Sequence, residues 1–496
     1  MAPSTATPGP RLLTKRDFLA GLQCHKQLWW RIHDPLAGEL TPDQNALAVM
    51  LAGRQVVNLA RDYVPGGRLI SFRHQATLER VEATGAAMAS GAAPLYDGTF
   101  ARDGIAVQVD ILERGADGWT LIEVNSTLDV KEKQLADAAV QAHVLRRSGV
   151  GLRRVEIMHL NRDCRFPDLS NLFVREDVTG RVHALEHGIA AEAVAQLSML
   201  QGSLPDQSTG DHCSLPHRCP FWDRCWARQT PQDLQTMYRA GRKLKDWEAQ
   251  GWRSILDLPQ DLALPAVARR QVAAVRTGAM QIEPGLASAL GAFIGPLAFL
   301  DFETVSPAVP RWAGCGPYFP VPVQLSCHLE DGAGRHRHVE WLADGPGDPR
   351  LEFTRFLVET CAGARTIVSY NAGFEAECLR RLAGVLPQLA PELIDVERRL
   401  VDLLPVVRDH VYHPSFEGSF SLKQVLPALV SDMQYDGMEV AEGRAASREL
   451  AQLLFGERMD PQERSVIRES LLAYCKQDTW AMVRLLQRLR DLAIGS

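Results

Sequence analysis

Residues 296–304 read Pro-Leu-Ala-Phe-Leu-Asp-Phe-Glu-Thr, an apolar strand that carries two carboxylates, one residue apart, to its end. Residues i and i+2 of a strand share a face, so Asp301 and Glu303 converge on one spot. Two such anions repel by roughly 4 kcal/mol at about 4 Å in an effective dielectric of about 20. Holding both at the end of a buried strand implies a positive occupant between them. Mg²⁺ or Mn²⁺, which prefer carboxylate oxygens, are the natural candidates. Solvated acids at a strand-to-loop junction would give the same short pattern, but two later segments extend it. Thr366-Ile-Val-Ser is a second apolar strand, leading through Tyr370 and Asn371 to Phe374-Glu375 at the start of a helix. Tyr474 and Asp478 lie four apart in a helical pattern and share a helix face.

This ordered series resembles the DnaQ-like exonuclease domain with the RNase H fold, of the type whose last motif carries Tyr. The resemblance covers residues 295–492. It matches Asp301 and Glu303 to the first motif, Asn371 through Phe374 to the second, and Tyr474 and Asp478 to the third. Glu375 stands where the family usually has Asp, adding one methylene and keeping the charge. The resemblance implies that Asp301, Glu303, Glu375 and Asp478 hold two metals, Mg²⁺ or Mn²⁺, and that Tyr474 orients the attacking water. Asp402, in Leu400-Val-Asp-Leu-Leu, either supports this site from a neighbouring strand or caps a helix. Lys423 either approaches substrate phosphate or is an ordinary exposed side chain.

The cysteines carry a second signal. Ten cysteines in a chain that reads as cytoplasmic argue for metal binding or burial over a disulfide framework. Cys213, Cys219 and Cys225 follow a Cys-x5-Cys-x5-Cys pattern with prolines and aromatics around them. Three thiolates leave a site one ligand short, and Cys24 is the expected fourth. One early cysteine and a late cluster of three resemble RecB/AddB-like nucleases with an iron–sulphur cluster, over residues 11–228. That resemblance implies a 4Fe-4S group on Cys24, Cys213, Cys219 and Cys225. Zn²⁺ is the competing occupant, with His25, His212 or His217 completing a Cys/His tetrahedron.

Between these cysteines lie a strand ending in an acid, Ile105 to Asp110, and a second strand after a glycine turn, Trp119 to Asn125. A helix follows through Leu135–Leu145. The set resembles a PD-(D/E)XK nuclease core, with Asp110 and Glu123 as metal ligands and Gln141 beside them. Asn125 occupies the position of the family's lysine, and a neutral amide neither orients water nor offsets charge as a lysine does. Lys131 or Lys133 would have to reach in from the next segment; otherwise this half is slow or only binds nucleic acid.

Composition bounds the remaining possibilities. With 496 residues and 46% hydrophobic content, the chain is long enough for two or three domains with cores of their own. A net charge of −6 lacks the global basic signature of a nucleic-acid coat protein. A local groove is still possible, with Arg146-Arg147, Arg153-Arg154 and Arg269-Arg270 as candidates. Residues 1–10 read as a floppy tail without the apolar core of a secretory signal. The uncharged run Pro284–Leu300 is interrupted by proline and glycine and reads as buried protein, not a membrane span.

The expected architecture is therefore α/β: a PD-(D/E)XK-like domain over 11–228, a helical connector over 229–290, and an RNase H-like domain over 291–496. The order resembles bacterial nucleases that fuse these two domains. It implies metal-dependent phosphodiester hydrolysis, 3′-5′ in the second domain, with DNA favoured over RNA and no membrane partner. The alternatives are a nucleic-acid-binding scaffold whose first half has lost its chemistry and a partner-assembly protein built on degenerate nuclease folds.

Overall fold

The computed structural model describes residues 12–70, 76–226, 230–433, 443–456 and 459–495; the expected N-terminal tail lies outside them. The protein is α/β and divides into two units. The first comprises residues 1–227 with 308–318, and the second comprises 228–307 with 319–496. Residues 228–290, expected as a helical connector, fall within the second unit. They carry a small core of Leu234, Met237, Trp247, Ile255, Leu258 and Val272. Residues 308–318 belong to the first unit, where Phe166 N donates to Cys315 O (3.0 Å) and the Tyr318 hydroxyl donates to Ser126 O.

The first unit is built on a seven-stranded sheet of β1 (Leu13–Thr14), β2 (Arg68–Leu69), β3 (Leu95–Arg102), β4 (Ile105–Gly115), β5 (Gly118–Asn125), β6 (Leu152–Leu160) and β7 (Phe173–Asp177). Their order is β2-β3-β4-β5-β6-β7, with β1 paired to β4. β3, β4 and β5 form an antiparallel meander. The Glu132–Arg147 helix then crosses over to place β6 parallel to β5, as parallel neighbours require. Val107, Val109, Leu112 and Leu121 enter one apolar layer and Ile111, Ile122 and Val124 another, so both sheet faces are covered, with the alternation of β4 shifting phase between Val109 and Ile111.

The second unit has a five-stranded sheet in the order β11-β10-β9-β12-β13. Its members are β9 (Leu297–Val305), β10 (Val321–Glu330), β11 (His336–Leu342), β12 (Thr366–Ser369) and β13 (Leu400–Asp402); β8 (Gln281–Ile282) and β14 (Val411–Tyr412) pair separately. The first three of the five are antiparallel, whereas β12 and β13 run parallel to β9. Along β9, Leu297 and Phe299 face one core while Ala298, Leu300 and Phe302 face the other. Asp301 and Glu303 share the first of these faces. The Pro461–Gly495 helix covers that face with a stripe that includes Leu471, Tyr474, Cys475, Met482, Leu485 and Leu489.

Candidate functional site

Three carboxylates meet in the second unit. Ligand oxygens of Asp301, Glu303 and Asp478 lie within 4.8 Å of one another, and no other such group of His, Cys, Asp or Glu occurs among the described residues. The strand period brings the first two together, and the terminal helix adds the third from across the sheet face. Burial and the neighbouring charges of Asp478, Glu303 and Glu375 push the Asp301 carboxyl well above its ordinary range. Burial and Asp478 likewise push Glu303 up to about 8, against the pull of Lys423. Carboxyls that retain protons in this way mark a site that lacks compensating positive charge.

Glu375 opens the Gly373–Val385 helix and is buried. It stands outside the tight triple, although its charge acts on both Asp301 and Glu303. Its Oε2 is buried without a hydrogen-bond partner. Burial and the nearby Asp402 charge push its pKa up to about 7. Asp402 itself is a backbone brace: its Oδ1 accepts from Asn371 N at 2.8 Å and from Leu404 N at 2.9 Å. Asn371 needs this brace because it takes the left-handed conformation (φ 68°) where β12 turns into the helix.

Tyr474 is buried, and its hydroxyl accepts from Lys423 Nζ at 3.1 Å; the same ammonium lies 4.8 Å from the ring centroid. Lys423 is therefore held against the acid site. Burial and the charges of Asp478, Glu303 and Asp301 raise the phenol, keeping it protonated. Behind the site runs a buried polar chain. Ser326 Oγ lies 2.9 Å from both His338 Nε2 and Thr479 Oγ1, and Thr479 Oγ1 lies 2.9 Å from His328 Nδ1.

The first unit gathers a second acid group. Asp110 Oδ2 accepts from Val124 N at 2.9 Å, on the strand that carries Glu123. Gln141 Nε2 donates to Glu123 Oε2 at 2.6 Å, so the expected neighbours do meet. The cation beside them is Lys15, which sequence reasoning missed: its Nζ lies 2.9 Å from Glu123 Oε1. Lys131 instead sits at the surface, 3.5 Å from Asp129. Asn125 Nδ2 is buried and unpartnered. Burial and the Glu123 charge push Asp110 up to about 8, with Lys15 opposing. No local pattern marks Lys15. It is placed by the pairing of Leu13 and Thr14 with Ile105 and Ala106, and by the Thr14 side chain capping the Lys15–Gln23 helix.

The four cysteines Cys24, Cys213, Cys219 and Cys225 line one narrow cleft, walled by Trp30, Phe221, Trp222 and Trp226. Gln23 Nε2 ties the first helix to the cysteine loop, donating to His212 O at 2.7 Å and His217 O at 2.8 Å. His25 is engaged by Glu192 at 3.0 Å, and of the three histidines only His212 lines the cleft. Burial pushes the Cys219 thiol up to about 11, reinforced by the other three sulphurs.

Five of the six arginines expected to line a groove have internal partners. Arg146 pairs with Glu186, Arg147 with Asp103, Arg154 with Glu156 and Asp177, and Arg270 with Glu283. Arg153 donates to Asp117 O.

Residues 298–421 match the family model described as a domain of unknown function, DUF2779. The match includes Asp301, Glu303, Glu375 and Asp402 and ends before Lys423, Tyr474 and Asp478. No curated protein matches the chain. No described helix is long and apolar enough to cross a membrane.

Proposed function

We propose that the protein is a metal-dependent nuclease whose second unit hydrolyses phosphodiester bonds from a 3′ end. The observation that carries this reading is the convergence of Asp301, Glu303 and Asp478 oxygens within 4.8 Å, beside a buried tyrosine. The sheet order supports it: three antiparallel strands followed by two parallel to the first is the arrangement expected of an RNase H fold. The donor set fits Mg²⁺ or Mn²⁺, since all the ligands are carboxylates and Glu375 keeps a buried oxygen without a partner. Bound there, the metal would supply charge stabilisation for the attacking and leaving oxygens.

The chain's own residues supply position. Asp301, Glu303 and Asp478 would hold the ions, with Glu375 as the more distant ligand. Tyr474 stays protonated, accepts from Lys423 and is hydrogen-bonded to Asp478, so it ties the lysine to the acid cluster. Lys423 adds a positive charge where phosphate would enter. DNA is favoured over RNA by the family resemblance alone.

The first unit is read as a nuclease or a nucleic-acid-binding domain. Its meander, crossover helix and parallel strand, with Asp110, Glu123 and Gln141 together, support a PD-(D/E)XK core. Its four cysteines would hold a 4Fe-4S cluster that fastens the first helix to the end of the unit. Zn²⁺ in a Cys/His tetrahedron is the alternative occupant, with His212 beside the four sulphurs.

End-labelled single- and double-stranded DNA and RNA, incubated with Mg²⁺ or Mn²⁺, test the proposal. Stepwise shortening from the 3′ end that stops with a chelator and with Asp301→Asn is expected. Full digestion by that variant would move the activity elsewhere.

A further inference from the structure

The acid group of the first unit contains a cation from far away in the sequence. Lys15 Nζ touches Glu123 Oε1 across 108 positions, and both Asp110 and Asp137 act on it electrostatically. The Lys15 side chain is 24% exposed and that of Glu123 10%, so the pair sits at the wall of the site and not in the core. Glu123 is saturated on the protein side, by Lys15 on one oxygen and Gln141 on the other. Gln141 is fully buried, and its Oε1 has no partner, leaving an acceptor without a donor at the acid group.

We propose, resting on the nuclease reading of the first unit, that Lys15 is the catalytic cation of a second hydrolytic centre formed with Asp110 and Glu123. It supplies from the N-terminal helix the charge that Asn125 cannot. Without a divalent ion, its ammonium holds the place of positive charge on Glu123. Asp110 and Glu123 would hold a divalent ion, and with that charge supplied the ammonium would be free to face the non-bridging oxygens of the phosphate. In the reaction, a water oxygen bonds to phosphorus and gives one proton to solvent. The bond to the bridging oxygen breaks, and that oxygen leaves with the electron pair and takes a proton from solvent. Lys15 stays protonated throughout and stabilises the charge that develops on the phosphate.

The test uses the full chain with the second unit silenced by Asp301→Asn and Asp478→Asn. Cleavage of circular single-stranded DNA, which has no ends, is followed with Mn²⁺, and Mn²⁺ binding is titrated separately by electron paramagnetic resonance. The expected result is Mn²⁺-dependent nicking that falls at least 10-fold in Lys15→Met and partly survives in Lys15→Arg. Mn²⁺ affinity should hold or rise in Lys15→Met, because a competing cation is gone. Nicking by Lys15→Met at the parent rate overturns the proposal. So does loss of Mn²⁺ binding together with nicking, which would make Lys15 a support for the acids. Absence of nicking in the silenced parent also overturns it, while leaving the 3′ exonuclease of the unsilenced chain to stand or fall on its own assay. If Lys15→Met does not fold, as judged by circular dichroism, Lys15→Gln takes its place.

Discussion

Ser326 Oγ lies 2.9 Å from Thr479 Oγ1, a buried contact that fixes how the terminal helix sits on the sheet. Ser326 faces Asp301 across the β9–β10 pair, and Thr479 follows Asp478 in the helix. The contact therefore sets the register in which Asp478 meets Asp301.

Replacing Thr479 by Val keeps the shape and removes the hydroxyl shared by Ser326 and His328. Leaving the buried His328 Nδ1 without a partner, while Ser326 keeps His338, should cost about 1–3 kcal/mol in urea unfolding. Exonuclease activity should fall with it, since Asp478 is then less firmly placed. Unchanged stability and rate would show that the contact positions nothing.

His328 makes stability depend on pH in a definite direction. Burial, then the nearby His338 and His336, lower its pKa from 6.5 to about 3. The unfolded chain binds a proton in this window that the folded chain refuses, so His328 stabilises the fold less as pH falls below about 6.5. Between pH 7 and 5 the contribution lost is about 2 kcal/mol. Urea midpoints of the parent and of His328→Gln, compared at each pH, isolate it. Parallel curves for the two proteins would remove His328 as the source.

The acid cluster acts in the opposite sense. Glu303 is raised to about 8 and Glu375 to about 7, so without metal the folded state holds protons that the unfolded state releases. Stability should decline as pH rises from about 4.5 to 8, and a divalent ion should restore it most at the alkaline end. Melting temperatures with chelator or with Mn²⁺ at pH 6 and pH 8 check this. Glu303→Gln should flatten the chelated curve and abolish exonuclease activity. A parent protein whose melting ignores Mn²⁺ at pH 8 would argue against a metal site.

Cys219→Ser should empty the cysteine cleft. The purified parent is expected to carry about four irons and four acid-labile sulphides, and the variant neither. Its first unit should melt earlier, because the cluster would tie the helix after Thr14 to residues near 220. Equal metal content in the two proteins would end the assignment, and one zinc per chain would replace the cluster by a mononuclear site.

Local periodicity made the central part of both acid groups readable. Asp301 with Glu303 follows from the two-residue repeat of a strand, and Tyr474 with Asp478 from the four-residue repeat of a helix. The β4–β5 turn, the helix carrying Gln141 and the strand leading to Asn371 were equally legible, because each is set by neighbours in the chain. Asp402 was legible only as a choice between two roles, and the structure makes it the brace of Asn371 and Leu404.

By itself, the sequence determined which carboxylates share a face, which cysteines form a set, and that Asn125 breaks a charge pattern. Only the tertiary structure decided that Lys15 stands against Glu123, that Lys423 is held on Tyr474, that Glu375 lies outside the tight triple, and that five of the six paired arginines are internally engaged. The physical reason is range. Backbone periodicity fixes direction over a few residues, whereas these contacts depend on β-pairing and helix packing between segments tens to hundreds of positions apart.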